Sequence, residues 1–284
     1  MALLRREIAM LRGVLQPCGS AAVRTAFALR NLFKLPDSLM IALYRIGFLA
    51  FLMALWQVAA TRMGSNVLPS PHATWQAAQT LVGEGQLIVA VGDSLTVYLS
   101  GFAIAIIVGV PLGVIMGGFR VLGKTLEVYV FALAATPRVA FIPLIIVLLG
   151  LGVEAKTFIV FLGALMPILI NAYAGVLAAD EELLEMARSV GAGRGRIFTS
   201  IVLPGAVPFV IVGLRLGATI GLINTVVAEL YTAVRGLGGL LAIYGNTFRM
   251  AEYFVVVLTL AAVGVIVTES LRYVEARVSR WRVV

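Results

Sequence analysis

Five residues could do polar work inside otherwise apolar stretches of this chain: Arg138, Asn171, Arg215, Asn224 and Glu229. A charge within a membrane span is costly and is kept where it faces a cavity or a partner. Arg138 is flanked by Pro137 and Pro143, and prolines there kink a helix and free carbonyls. Two readings stay open for it. Either Arg138 lines a pathway for an anion with its polar neighbours, or it binds backbone carbonyls or carboxylates. For Arg215 the structural contact is the expectation. Glu229 either holds an outer gate or pairs with Arg235.

Other chemistry is sparse. Gly118 to Thr125 reads GFRVLGKT, the spacing of a loop that cradles nucleotide phosphates. Such a loop needs a buried strand before it and an α/β domain around it. Here a long uncharged apolar run precedes it, so the segment reads as a tight turn carrying Arg120 and Lys124. A single cysteine, Cys18, and a single histidine, His72, leave no disulfide, metal cluster or nucleophile–base pair to assemble. The expectation is no enzyme, no metal and no cofactor on this chain.

The elements that hold these residues are helices in a bilayer. The chain has 284 residues, 61% hydrophobic and 13% charged. That is the composition of an all-α, polytopic membrane protein rather than a soluble domain. Six spans near the ~20 residues a bilayer core requires are predicted: 39–60, 91–119, 126–149, 157–177, 204–231 and 251–271. The third is interrupted by Pro137, Arg138 and Pro143. Glycines four apart, at 109, 113 and 117 and again at 213, 217 and 221, let helices approach closely. They serve either as moving or subunit-contact surfaces or as packing within one subunit.

Residues 1–38 read as a basic cytoplasmic tail, either an interfacial helix or a disordered segment, and 39–284 as the transmembrane domain. An outer loop carries an amphipathic helix near Thr74 to Leu81. The glycine-rich segment RGLGGLLAIYGNTFR is too short to span and reads as a re-entrant or surface turn. The net charge of +8 clusters beside the spans, which argues for membrane orientation rather than nucleic acid. Fifteen basic residues fall in the two tails and the 120–124 and 178–203 loops. Arg62, Lys156, Arg235 and Arg249 fall opposite them. This places both termini and the 178–203 loop in the cytoplasm.

That loop holds a punctuated polar island, EMARSVGAGRGRIFTSIVLP, from Glu185 to Pro204. Asp180 is a predicted N-cap, Glu181 and Glu182 suit the first turn and Arg188 the last, and Gly191 suits a left-handed cap. Leu183, Leu184, Ala187 and Val190 recur at helical spacing. A helix this short needs a surface to dock on.

The island resembles the cytoplasmic loop of permease subunits of bacterial ABC importers. Glu185, Ala187, Gly191, Ile201, Leu203 and Pro204 stand at the family's spacing, and Met186 departs from it where the family has alanine. From about Asp93 onward the chain resembles the nitrate, sulfonate, taurine and bicarbonate branch. Ser94-Leu95, Gly101-Phe102, Pro111-Leu112-Gly113, PRVAFIPL at 137–144 and Gly150-Leu151-Gly152 carry the likeness, continued by Gly213-Leu214-Arg215, Ala228-Glu229 and Gly236-Leu237-Gly238.

The resemblance implies a type I importer permease in the bacterial inner membrane, with those six residues coupling to an ATPase. Its partners would be two cytoplasmic ATPase subunits, which carry ATP and Mg, a second permease copy, and a periplasmic or lipid-anchored binding protein. The cargo would be a small solute, with anions foremost. A self-contained secondary transporter or channel is the competing class. It would need an internal coupling site and often two similar halves, and no clear repeat is visible.

Overall fold

A computed structural model describes residues 37–64, 67–232 and 235–278 of the chain. The tail residues 1–36, with Cys18, lie outside the described residues. Contacts divide the chain into two units, residues 1–59 and 60–284. The first contributes most of helix α1 (Asp37–Met63), which is long and apolar enough to cross a membrane. All later elements belong to the second.

The second unit opens with α2 (Pro71–Gly83). The Ser70 hydroxyl caps it by accepting from the Ala73 N–H at 3.2 Å, and Pro71 occupies the first turn, where no N–H is needed. Thr74 and Leu81 are its buried face, as the amphipathic pattern predicts. The long helices are α3 (Gln86–Gly118), α6 (Val153–Leu177), α9 (Leu203–Thr232) and α11 (Met250–Val278). Between α3 and α6 lie α4 (Arg120–Ala135), a 3₁₀ turn at Arg138–Phe141, and α5 (Ile142–Leu149).

The predicted third span departs from a single rod. The helical pair Arg120–Ala135 and Arg138–Leu149 is bent by 81°. Pro137 lacks an N–H and biases Thr136 toward extended backbone, so α4 must stop there. Among the described residues there are therefore five membrane-length helices, or six if this bent pair is one span. Arg120 and Lys124 lie in the first turns of α4 rather than in a loop. GFRVLGKT is thus a sharp corner between two helices, with only Phe119 extended between them. A side chain at Gly123 would run into the Met116 carbonyl and the Tyr173 ring.

Helix α6 is the centre of this unit. Fourteen of its residues are buried, and α3 and α9 both pack along it. The glycine stripes make those contacts. A Cβ at Gly101 would stand 2.7 Å from the Val160 Cβ, and one at Gly113 would stand 2.7 Å from that of Ala172. On α9, Gly213 backs onto Asn171 and Gly217 onto Ile168. The stripes are packing surfaces within one subunit, against α6.

These contacts should be intolerant of volume. Gly113→Ala is expected to lower detergent-solubilised thermal stability by about 1–3 kcal/mol through overpacking. Gly92→Ala, where nothing lies within 4 Å, should be neutral or raise stability by up to about 1 kcal/mol. Equal effects from both would contradict the packing account.

Candidate functional site

Two places concentrate function-bearing groups: an exposed short helix, and a buried polar node involving Glu229.

The exposed helix is α7 (Glu181–Ser189). Asp180 caps it by accepting from the Glu182 and Leu183 N–H groups at 2.9 and 3.4 Å. Gly191 takes the left-handed conformation at φ 78°. Its N–H donates to the Arg188 carbonyl, and that of Ala192 to the Ala187 carbonyl, both at 3.0 Å. This pair of bonds is a Schellman cap. The helix docks through Leu184, which joins a cluster with Val176, Val202, Ala206 and Phe198. The predicted apolar face is therefore divided. Leu184 turns toward the bundle, while Leu183, Met186 and Val190 form an exposed stripe, at 46%, 62% and 79%.

Beyond α7, a short turn α8 (Arg194–Ile197) leads into a π-helical turn at Phe198–Val202 and then α9. Pro204 has no N–H to offer the Ser200 carbonyl, and the Leu203 N–H reaches back to Phe198 instead. Ile201, Leu203 and Pro204 thus lie where α9 begins, whereas Glu185 and Ala187 lie on α7 itself.

The five polar residues do not converge on one site. Arg138 donates to the Gly163 carbonyl at 3.0 Å and to the Ala134 carbonyl at 3.4 Å. Gly163 is four residues before Pro167, so α6 supplies no N–H for its carbonyl. The guanidinium provides the missing donor. Asn224 packs against the same glycine, where any side chain at 163 would strike its amide. Its Nδ2 donates to the Ile220 carbonyl at 2.8 Å. Asn171 donates to the Pro167 carbonyl at 2.7 Å. Arg215 forms an ion pair with Glu275, joining α9 to α11.

Glu229 stands apart from these and is fully buried. The Ser94 hydroxyl lies 2.8 Å from both its carboxylate oxygens, and the Gly238 N–H donates to Oε2 at 2.8 Å. Ser94 in turn accepts from the Leu237 N–H at 2.8 Å. These donors belong to α3 and to α10 (Leu237–Asn246), a short helix within the glycine-rich segment. The carboxylate is thus held by Ser94 and Gly238. The Arg235 group drawn into this region is its carbonyl, which accepts from Lys156 Nζ at 3.2 Å. Sequence reasoning placed Lys156 in a loop. It is a buried residue of α6, 4% exposed. The available clue is its place three, four and seven residues before Ile159, Val160 and Gly163 on the buried face of α6. Asp93, Thr96, Lys156, Glu229 and Arg235 line a cavity of about 280 Å³.

A bent, all-helical bundle with a capped surface helix before a membrane-length helix is a recognisable arrangement, and comparison with known proteins identifies it. The profile of the binding-protein-dependent transport system inner membrane component matches residues 109–280. The chain belongs to that family. It is 32% identical over 222 residues to a probable ABC transporter permease of Brucella abortus (strain 2308), covering 78% of this chain and 89% of the relative. It is 34% identical over 233 residues to the putative aliphatic sulfonates transport permease of Escherichia coli (strain K12), covering 81% and 88%. The taurine transport system permease of the same organism is 28% identical, covering 83% and 88%. A solved chain of the MetNI methionine ABC transporter shares the fold, with TM-score 0.60 at 20% identity, covering 69% of this chain and 97% of that one.

The protein is accordingly a non-catalytic, multi-pass permease subunit of an ABC importer, with ATP hydrolysis on partner ATPases and solute delivery by a substrate-binding partner. The self-contained secondary transporter is not the reading that these relatives favour.

The Arg138 contact yields a direct test. Arg138→Ala should destabilise the purified permease by about 1–2 kcal/mol by orphaning the Gly163 carbonyl. Pro167→Ala restores an N–H four residues on, so the double variant should recover most of that loss in a thermal-unfolding cycle. Additive losses would show that Arg138 acts elsewhere.

Proposed function

We propose that α7 is the helix through which this permease receives the ATPase stroke. Its uncovered stripe of Leu183, Met186 and Val190 carries the reading. Caps at both ends hold a nine-residue helix that would be marginal alone, and Leu184 fastens it to the bundle. Apolar side chains on such a helix, ringed by Glu181, Glu182, Glu185 and Arg188, suit a groove on a soluble partner. Gly191 sets the exit angle. Ile201, Leu203 and Pro204 tie the stroke to the start of α9.

The positive-inside count supports placing α7 and both termini in the cytoplasm of a bacterial inner membrane. The tail 1–38 would then lie on the cytoplasmic face. A second copy of the chain would complete the pathway, with two ATPase subunits below and a periplasmic or lipid-anchored binding protein above. ATP and Mg would sit on the ATPases.

The cargo is proposed to be a small anion. The supporting relatives are named for taurine, aliphatic sulfonates and nitrate. Arg138, Asn171, Arg215 and Asn224 would shape the pathway chiefly by fixing the helices beside it, since each engages a carbonyl or carboxylate of its own chain. Glu229 would do so at the outer end.

Leu183→Asp/Met186→Asp should abolish co-purification with the co-expressed ATPase while leaving the permease's own thermal stability within about 0.5 kcal/mol, as surface changes do. Gly191→Asp, strained at positive φ, and Glu185→Lys should weaken it. Undiminished co-purification of all three would refute the coupling role.

A further inference from the structure

Helix α10 is joined to the bundle through main-chain groups at its entry. The Leu237 N–H goes to Ser94 of α3, and the Gly238 N–H goes to Glu229 of α9. The Arg235 carbonyl, just before the helix, takes Lys156 of α6. Three helices therefore reach one turn. No side chain fits there: Gly236 has φ 94°, and a Cβ on it would run into the Glu229 carboxylate. A Cβ at Gly238 would stand 2.6 Å from that of Glu229. Leu237, Gly238, Gly239, Leu241 and Tyr244 are buried, so α10 is packed as well as tied.

Asp93, Lys156, Glu229 and Arg235 also line one cavity beside this turn. Lys156 and Glu229 each hold the turn through a hydrogen bond of their own.

We propose that Lys156 and Glu229 form a two-point clamp, making α10 and the adjoining ends of α3, α6 and α9 move as one body during transport. Lys156 is a positioning residue in this scheme. It holds the turn before α10, while Glu229 holds the turn's first two N–H groups directly and through Ser94. The inference rests on the importer reading. It adds a residue that the coupling helix does not involve, at the other end of α9.

The test uses the permease complexed with its ATPase and binding protein in liposomes, comparing wild type with Lys156→Met, Glu229→Gln and the double variant. Solute uptake and ATP hydrolysis are measured with and without binding protein. Each single variant should lose about tenfold in stimulated uptake, the size of a coupled pair. Hydrolysis without binding protein should hold or rise, which is uncoupling and not loss of fold. The double variant should be no better than the worse single, because losing either point frees the turn, and Lys156→Arg should stay coupled. If Lys156→Met yields no complex, Lys156→Gln, which keeps an N–H donor for the Arg235 carbonyl, should restore the yield.

The clamp is overturned if the singles match wild type, or if the double variant regains wild-type uptake. It is also overturned if uptake and hydrolysis fall together with the amount of folded complex. A wild-type complex with no binding-protein stimulation would instead overturn the importer reading beneath it.

Discussion

A backbone carbonyl or N–H inside a bilayer must find a partner within the protein, and that requirement organises this permease. Prolines 111, 167, 204 and 208 stand within apolar helical stretches and remove donors that helices need, and Pro137 ends α4. Several polar side chains placed deep in the second unit answer such a demand. Arg138 serves the carbonyl opposite Pro167 and the end of α4. Glu229 and Ser94 serve the free N–H groups at the start of α10, and Lys156 serves the carbonyl just before it. Among the described residues, no buried side-chain nitrogen or oxygen is left without a hydrogen bond. Irregular backbone and buried charge are two halves of one arrangement.

The second requirement is close approach. Lipid offers little hydrophobic drive for helix association, so packing must supply the cohesion. Gly101, Gly109, Gly113 and Gly117 press α3 onto α6, and Gly213 and Gly217 press α9 onto it from their own face. The result is a dense core of Tyr98, Val160, Ala164 and Ile168 with little slack. Such a core favours rigid-body motion over bending. A displacement applied at one end of α9 is then transmitted along it.

Local chemistry made much of this legible from the chain itself. Asp180, Gly191 and the apolar periodicity mark α7 because capping is decided within a few residues. The bend at Pro137 could be located but not measured, because its 81° depends on where α5 finds its packing partners. Partners distant in sequence were not readable. Nothing near Glu229 announces Ser94, 135 positions away. Nothing near Arg215 announces Glu275. Lys156 reads as a loop residue from sequence because a lysine at the edge of an apolar run suits a span boundary. A single charge satisfied by a carbonyl can sit a full turn inside a helix.

The two ends of α9 are built on opposite principles, and that asymmetry suits a lever. Its start follows a π turn and a short capped helix whose apolar stripe is uncovered. That surface gains stability only when something docks on it. Its far end is buried and polar, with Glu229 shielded from water and tied to two other elements. A docking site must be accessible and reversible, so weak local structure with strong caps serves it. A reaction point must not yield, so hydrogen bonds and charges held in a low-dielectric setting serve it better than surface contacts would. Between them, the glycine-lined face packs α9 closely against α6. If α7 receives the stroke as proposed, α9 is the stiff route that would carry it toward α10.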